Sequence, residues 1–174
     1  GQAFPTNVMV AKGINGYTPD LDKRPALLKP EEAKKLLADA GYPNGFEVGM
    51  DCPNDRYVND DKICQAVVSM LAKIGVKVNL RAQTRNLYFA KILRSTQDGK
   101  PNNTSFYMLG WSPATTYDVH NVFEQIIQTP DIKTKKGLFN AGGYSNKKFD
   151  ELANAVEVET DKAKRDAMIR EATK

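Results

Sequence analysis

The 174-residue sequence predicts an α/β fold, a mixed sheet built on one βαβ unit and flanked by helices. Three observations carry that prediction. Residues 46–51 and 76–81 alternate apolar with polar or small side chains, as half-buried strands do. Between them Ile63, Ala66, Val67, Met70, Leu71 and Ile74 recur at helical spacing and form one apolar stripe. A strand, a helix and a strand in so short a stretch make a crossover unit whose strands run parallel.

The other elements follow from local signals. Residues 1–28 have no sustained periodicity and carry Gly13, Gly16, Pro19 and Pro25, so they read as an extended lead-in with turns. A helix over 30–40 starts on Pro30, places Glu31 and Glu32 at its positive end, and stops at Gly41. Asn59 stands where it can cap the helix that runs to about Lys73, and Gly75 ends that helix. Leu87, Phe89, Ala90 and Leu93 give a helix face over 85–94, and the polar tract 95–105 is a surface loop. A strand over 105–111 follows, then a polar loop and a helix from about Asp118 to Gln128. Ser145 is placed to cap a helix carrying Phe149, Leu152, Ala153 and Val156, and Thr160-Asp161 opens a last helix.

Composition excludes several classes. Apolar residues make up 41% and charged ones 26%, which suits one domain with a real core and argues against disorder. The 25 basic residues stand against 21 acidic ones and are scattered, Lys133, Lys135 and Lys136 being the densest run. That is a solvated surface and not a nucleic-acid footprint. No apolar run approaches the ~20 residues that span a bilayer. GQAFPTNVMV lacks the basic and apolar stretches of a signal peptide, and RDAMIREATK stops inside a helical pattern, so both ends read as cut from something longer.

An enzyme needs a nucleophile with a base, a carboxylate pair of split acidity, or a metal. Asp51, Asp55, Asp60 and Asp61 resemble a metal-rich run but lack the glycine and terminal glutamate of a calcium loop, and Asp60 and Asp61 suit the first turn of a helix. No catalytic residue, metal site or cofactor is therefore expected. Cys52 and Cys64 read either as a structural disulfide, which implies an oxidising compartment, or as two unrelated buried thiols. As free thiols they leave open a small α/β thiol hydrolase using one cysteine with His120. For a binding role, the strand end at Gly110-Trp111 and its polar loop lie where open α/β sheets place ligand contacts. There Trp111 offers an aromatic wall and Asp118 a carboxylate for a ligand cation, with Tyr107, Tyr117 and His120 behind them. From the residues alone Trp111 reads rather as a core anchor and Asp118 as a helix cap.

Four stretches, in order, carry a resemblance: PEEAKKLLADAGYPNGFEV (30–48), AVVSMLAKIGVKVNL (66–80), LGWSPATTYDVHNVF (109–123) and GGYSNKKFDELANA (142–155). The set resembles the C-terminal lobe of the extracytoplasmic solute-binding proteins of family 5, the dipeptide- and oligopeptide-binding components of ABC importers. The resemblance implies a flytrap of two α/β lobes of which residues 1–174 are one. It implies a periplasmic, monomeric receptor without a catalytic step, delivering peptides or similar small solutes to the transmembrane subunits of a permease. In the peptide-binding members an Asp soon after the Gly-Trp strand end pairs with the ligand's amino terminus, and Asp118 matches that position best. The stretch between Trp111 and Asp118 departs from the pattern, being poorer in acids and glycine.

Overall fold

A computed structural model describes residues 5–23, 29–100 and 103–174. Parts of the predicted lead-in (1–4 and 24–28) and of the predicted loop (101–102) lie outside the described residues. The chain forms two compact units, a sheet unit over 26–110 and a helical unit made of 1–25 and 111–174.

The sheet unit is built around β1 (Glu47–Pro53), flanked by β2 (Lys77–Gln83) and β3 (Phe106–Tyr107) in the order β2-β1-β3. Both pairings are parallel, where the sequence led us to expect a mixed sheet, and Glu47 to Pro53 pair in register with Lys77 to Gln83. α1 (Pro30–Asp39) has Pro30 at its start and Glu31 and Glu32 in its first turn, and no side chain on it is fully buried. It rests on the core through Leu37. α2 (Asp60–Ala72) crosses from β1 to β2 and buries Cys64 against Met50, Cys52, Val76 and Val78. Cys52 and Cys64 are joined in a disulfide, so the thiol-hydrolase alternative has no nucleophile. Closing a loop of that size stabilises by about 2–3 kcal/mol through the unfolded chain.

Because side chains alternate along a strand, the residue between Met50 and Cys52 points to the other face. That residue is Asp51, 0% exposed. It accepts from Arg81 Nε at 3.0 Å and Nη2 at 3.1 Å, Lys91 Nζ at 2.6 Å and Thr104 Oγ1 at 3.2 Å. Lys91 comes from α3 (Arg85–Ile92), which also buries Tyr88 and Ile92, and α4 (Arg94–Gln97) continues from it. β3 is far shorter than the expected 105–111. Met108 N donates to Asp51 O, but the next donor would be Pro53, which has no N–H, so the Met108 carbonyl takes the Tyr88 hydroxyl and that of Gly110 the Tyr57 hydroxyl.

In the helical unit the expected helix over 118–128 is broken into α5 (His120–Val122) and a π-helical turn, Phe123–Ile127, closed by Gln128 N on Phe123 O at 2.8 Å. The buried Asn140 side chain holds the far side of this turn, donating to the carbonyls of Gln128 at 3.1 Å and Tyr144 at 2.8 Å. α6 (Lys147–Val158) is capped by Asn146 and not by Ser145, whose hydroxyl is drawn to Thr129 Oγ1 at 2.9 Å. α7 (Lys162–Thr173) is capped by Asp161, as its sequence predicts. Val10, Val119, Val122, Phe123, Phe149, Ala153, Val156 and Ile169 form the core.

One contact in the sheet unit tolerates no side chain. Gly45 adopts φ +73°, and a Cβ there would sit 1.9 Å from the Gly75 carbonyl oxygen. Gly45→Ala meets both a left-handed backbone and a backbone clash, and is expected to cost about 2–4 kcal/mol, read as a fall in the urea midpoint at unchanged m-value.

Candidate functional site

In an open parallel sheet, ligand contacts gather outside the carboxyl ends of the strands. Here the loop leaving β1, residues 54–59, occupies that edge. Its shape comes from Asp60, 2% exposed, whose carboxylate accepts Arg56 N and Tyr57 N at 2.9 Å each and Asp61 N at 2.9 Å. Burial pushes the Asp60 pKa up, but the three backbone donors outweigh it and hold the group below the ordinary carboxylate range. Asp55 accepts Arg85 N at 2.6 Å, which fastens the loop to the turn after β2.

The loop presents Arg56, Tyr57 and Val58. The Arg56 guanidinium lies 5.0 Å from the Tyr57 ring centroid and forms no ion pair among the described residues. The Tyr57 hydroxyl donates to Gly110 O at 3.2 Å, and a Cβ on Gly110 would approach its ring to 2.8 Å, so only glycine lets the ring lie there. Val58 is 86% exposed. Behind them burial drives the Tyr88 phenol well above its usual range, so it stays a donor to Met108.

The residues singled out in the sequence fall in both units. Tyr107 is in β3, opposite Asp51. In the helical unit Trp111 donates its indole N–H to Asn121 Oδ1 at 2.9 Å and packs on Phe139 at 4.7 Å between centroids. It is thus an anchor at the core's edge. Asp118 is engaged on all sides: Arg165 Nη1 and Nη2 at 2.9 and 3.0 Å, Asn15 Nδ2 at 2.7 Å and His120 N at 2.8 Å. Burial raises its pKa, and the Arg165 guanidinium and the other donors outweigh that and depress it. The carboxylate stitches α7 and the lead-in to the start of α5, with no lone pair left over for a ligand ammonium. His120 therefore meets Asp118 through its backbone, and its buried Nε2 has no hydrogen-bond partner among the described residues. Tyr117 is 64% exposed on a backbone at φ +51°, held there by Tyr117 N on Pro113 O at 2.7 Å and Asn15 N on Tyr117 O at 2.9 Å.

Arg56 and Tyr57 are not among the residues that the sequence singles out. The available signal is their place at the carboxyl end of a predicted strand, four and three residues respectively before Asp60, which opens a helix.

A parallel α/β scaffold with polar and aromatic groups at its strand ends is a binding architecture. Residues 1–134 match the family described as "Bacterial extracellular solute-binding proteins, family 5 Middle", and the chain belongs to that family. It is 29% identical over 144 residues to the glutathione-binding protein GsiB of Pectobacterium atrosepticum, covering 82% of this chain and 27% of that protein. To the heme-binding protein A of Haemophilus influenzae it is 31% identical over 146 residues, 82% of this chain and 24% of that one. Its fold matches the periplasmic binding protein DppA of Helicobacter pylori, solved with the peptide STSA, at a TM-score of 0.73 and 24% identity, over 97% of this chain and 31% of that one. The chain thus spans about a quarter of the length of the curated relatives it matches.

A group whose pKa is depressed by folding stabilises above its unfolded value and stops doing so as pH falls through its folded value. For Asp118 that loss begins near the unfolded value of about 3.9 and extends below it. Asp118→Asn is expected to cost about 2–3 kcal/mol at neutral pH. In urea titrations its gap from wild type should narrow steadily below about pH 4. A gap independent of pH would show that the ion pair with Arg165 contributes nothing through its charge.

Proposed function

We propose that the chain is one lobe of a two-lobe receptor that captures peptides, or solutes with a similar carboxylate, outside the cytoplasmic membrane. On this reading it works as a monomer in the periplasm, carries no catalytic step, and hands its ligand to the transmembrane subunits of an ABC importer. The observation that carries it is Arg56, a guanidinium that forms no ion pair among the described residues and lies over the Tyr57 ring, 5.0 Å from its centroid, at the carboxyl edge of the sheet in a chain of this family. A planar guanidinium laid on an aromatic face keeps its outer N–H groups pointing one way and can hold a carboxylate with two parallel bonds. The named substrates of the relatives, glutathione, heme and a peptide, all bear carboxylates.

The rest of the assignment follows from what each group has left to offer. Tyr117 extends an exposed ring from a strained backbone, and Tyr107 and Trp111 supply apolar surface, Trp111 with its N–H already used. His120 offers a ring Nε2 that has no hydrogen-bond partner among the described residues. Asp118 fixes the loop in place of reading an amino terminus, because Arg165 fills it.

The test is a thermal-shift and calorimetry panel on the complete receptor chain with free, N-acetylated and C-amidated di- to pentapeptides, glutathione and hemin. Free and acetylated peptides are expected to raise the melting temperature alike, amidated ones to fail, and Arg56→Ala to weaken binding at least about tenfold, the loss of a charged hydrogen-bonded pair. Binding that survives amidation but not acetylation would return the ligand's recognition to an acid and overturn the role of Arg56.

A further inference from the structure

The loop carrying Arg56 begins and ends in an unusual way. β1 ends at Pro53 and α2 begins at Asp60, so six residues, 54–59, make the connection. A helix start leaves its first N–H groups without partners, and a side chain at the cap position ordinarily takes one of them. Asn59 stands at that position but adopts φ +58° and makes no side-chain capping bond. The first turn is held instead by the Cys52–Cys64 disulfide, one half of it next to the end of β1 and the other four residues into α2. Both sulfurs are wholly buried.

Residues four apart lie on one helix face, so Cys64 pins the face that also carries Asp60. Asp60 in turn gathers the amides of Arg56 and Tyr57. The chain of restraint runs from disulfide to first turn, from first turn to carboxylate, and from carboxylate to the two residues at the sheet's edge. We infer that the Cys52–Cys64 disulfide is a positioning device for the ligand loop, setting how firmly Arg56 is presented and hence how tightly it holds a carboxylate. The inference rests on the receptor reading above for the ligand, and on the geometry alone for the loop. Binding to a loop already held in its bound shape avoids the entropy of ordering it, which is where the affinity comes from.

The experiment compares the complete receptor chain with its Cys52→Ala/Cys64→Ala variant, each with and without Arg56→Ala. Hydrogen exchange is read at the amides of Arg56 and Tyr57, and affinity with the dipeptide alanyl-phenylalanine. Expected are exchange at those two amides at least about tenfold faster, unchanged protection at Met50 and Val78, and dipeptide affinity lower by about tenfold, a coupling of 1.4 kcal/mol. In the Arg56→Ala background, removing the disulfide should change affinity no further. Unchanged exchange at Arg56 and Tyr57 would overturn the inference, as would an affinity loss of equal size in both backgrounds. A cysteine-free variant that does not fold would overturn it too, since the bond would then serve the core and not the loop. If wild type binds no dipeptide, peptides are ruled out as its ligand, and the exchange comparison still decides the positioning role.

Discussion

A carboxylate taken out of water has to be met by donors, and the central strand is built around one that is. Asp51 is wholly buried, and its partners come from β2 (Arg81), from α3 (Lys91) and from the segment before β3 (Thr104). One side chain therefore ties the middle strand to a neighbour, to the approach of the other neighbour, and to the helix on the face away from the disulfide. A buried charge is costly alone and specific when filled, because any other register leaves it unpaired. The apolar residues of the opposite face, Met50, Cys52 and Val78, give burial without direction. Asp51 supplies the direction.

The same device recurs wherever the apolar core does not reach. Asp60 organises the loop after β1 through three backbone amides, and Asp118 joins the lead-in, α5 and α7 through Asn15, His120 and Arg165. Each carboxylate replaces a stretch of regular structure. The loop 54–59 needs no strand or helix of its own, and Asn15 and Asp118 form an isolated parallel bridge in place of a sheet. The acids at positions 51, 60 and 118 are thus parts of the frame, which separates them from groups free to meet a ligand.

What was legible in the sequence was whatever depends on near neighbours. The crossover β1–α2–β2 and the caps at Pro30 and Asp161 follow from periodicity and from residues within a turn of one another. The misses share one cause, a partner distant in sequence. β3 stops early because Pro53 of β1, more than 50 residues before it, has no N–H to carry the pairing on, and Tyr88 and Tyr57, 20 and 53 residues away, take the carbonyls of Met108 and Gly110. The helix expected from Asp118 breaks into a short α-turn and a π-turn between Asn15 on one side and Asn140 on the other. Asp118 looked available because Arg165, which fills it, lies 47 residues further on. The place of Arg56 is hidden in the sequence for the opposite reason. A stretch rich in Pro, Asn and Asp reads locally as a turn, and only the folded sheet shows that this turn stands at the strands' carboxyl end.

The sign of the site follows from this division of labour. In the sheet unit Asp51 and Asp60 are consumed internally, while the cation Arg56 forms no ion pair among the described residues and lies over the Tyr57 ring. A guanidinium placed over the Tyr57 ring loses less freedom on meeting a planar anion than a mobile lysine would, and it is less strongly hydrated, so removing its water costs less. An ion pair of this kind is weak while solvent surrounds it. It gains strength once water is excluded, because the effective dielectric falls. If the chain is one lobe of a two-lobe receptor, as proposed above, it cannot exclude water from its own open edge. Closure by a second lobe would supply the exclusion, so the strength of the Arg56 contact would depend on the closed state. A ligand stabilises closure only by the difference between its affinities for the closed and open forms. A pre-set cation whose value rises on closure gives that difference, whereas a carboxylate already saturated by Arg165 gives none.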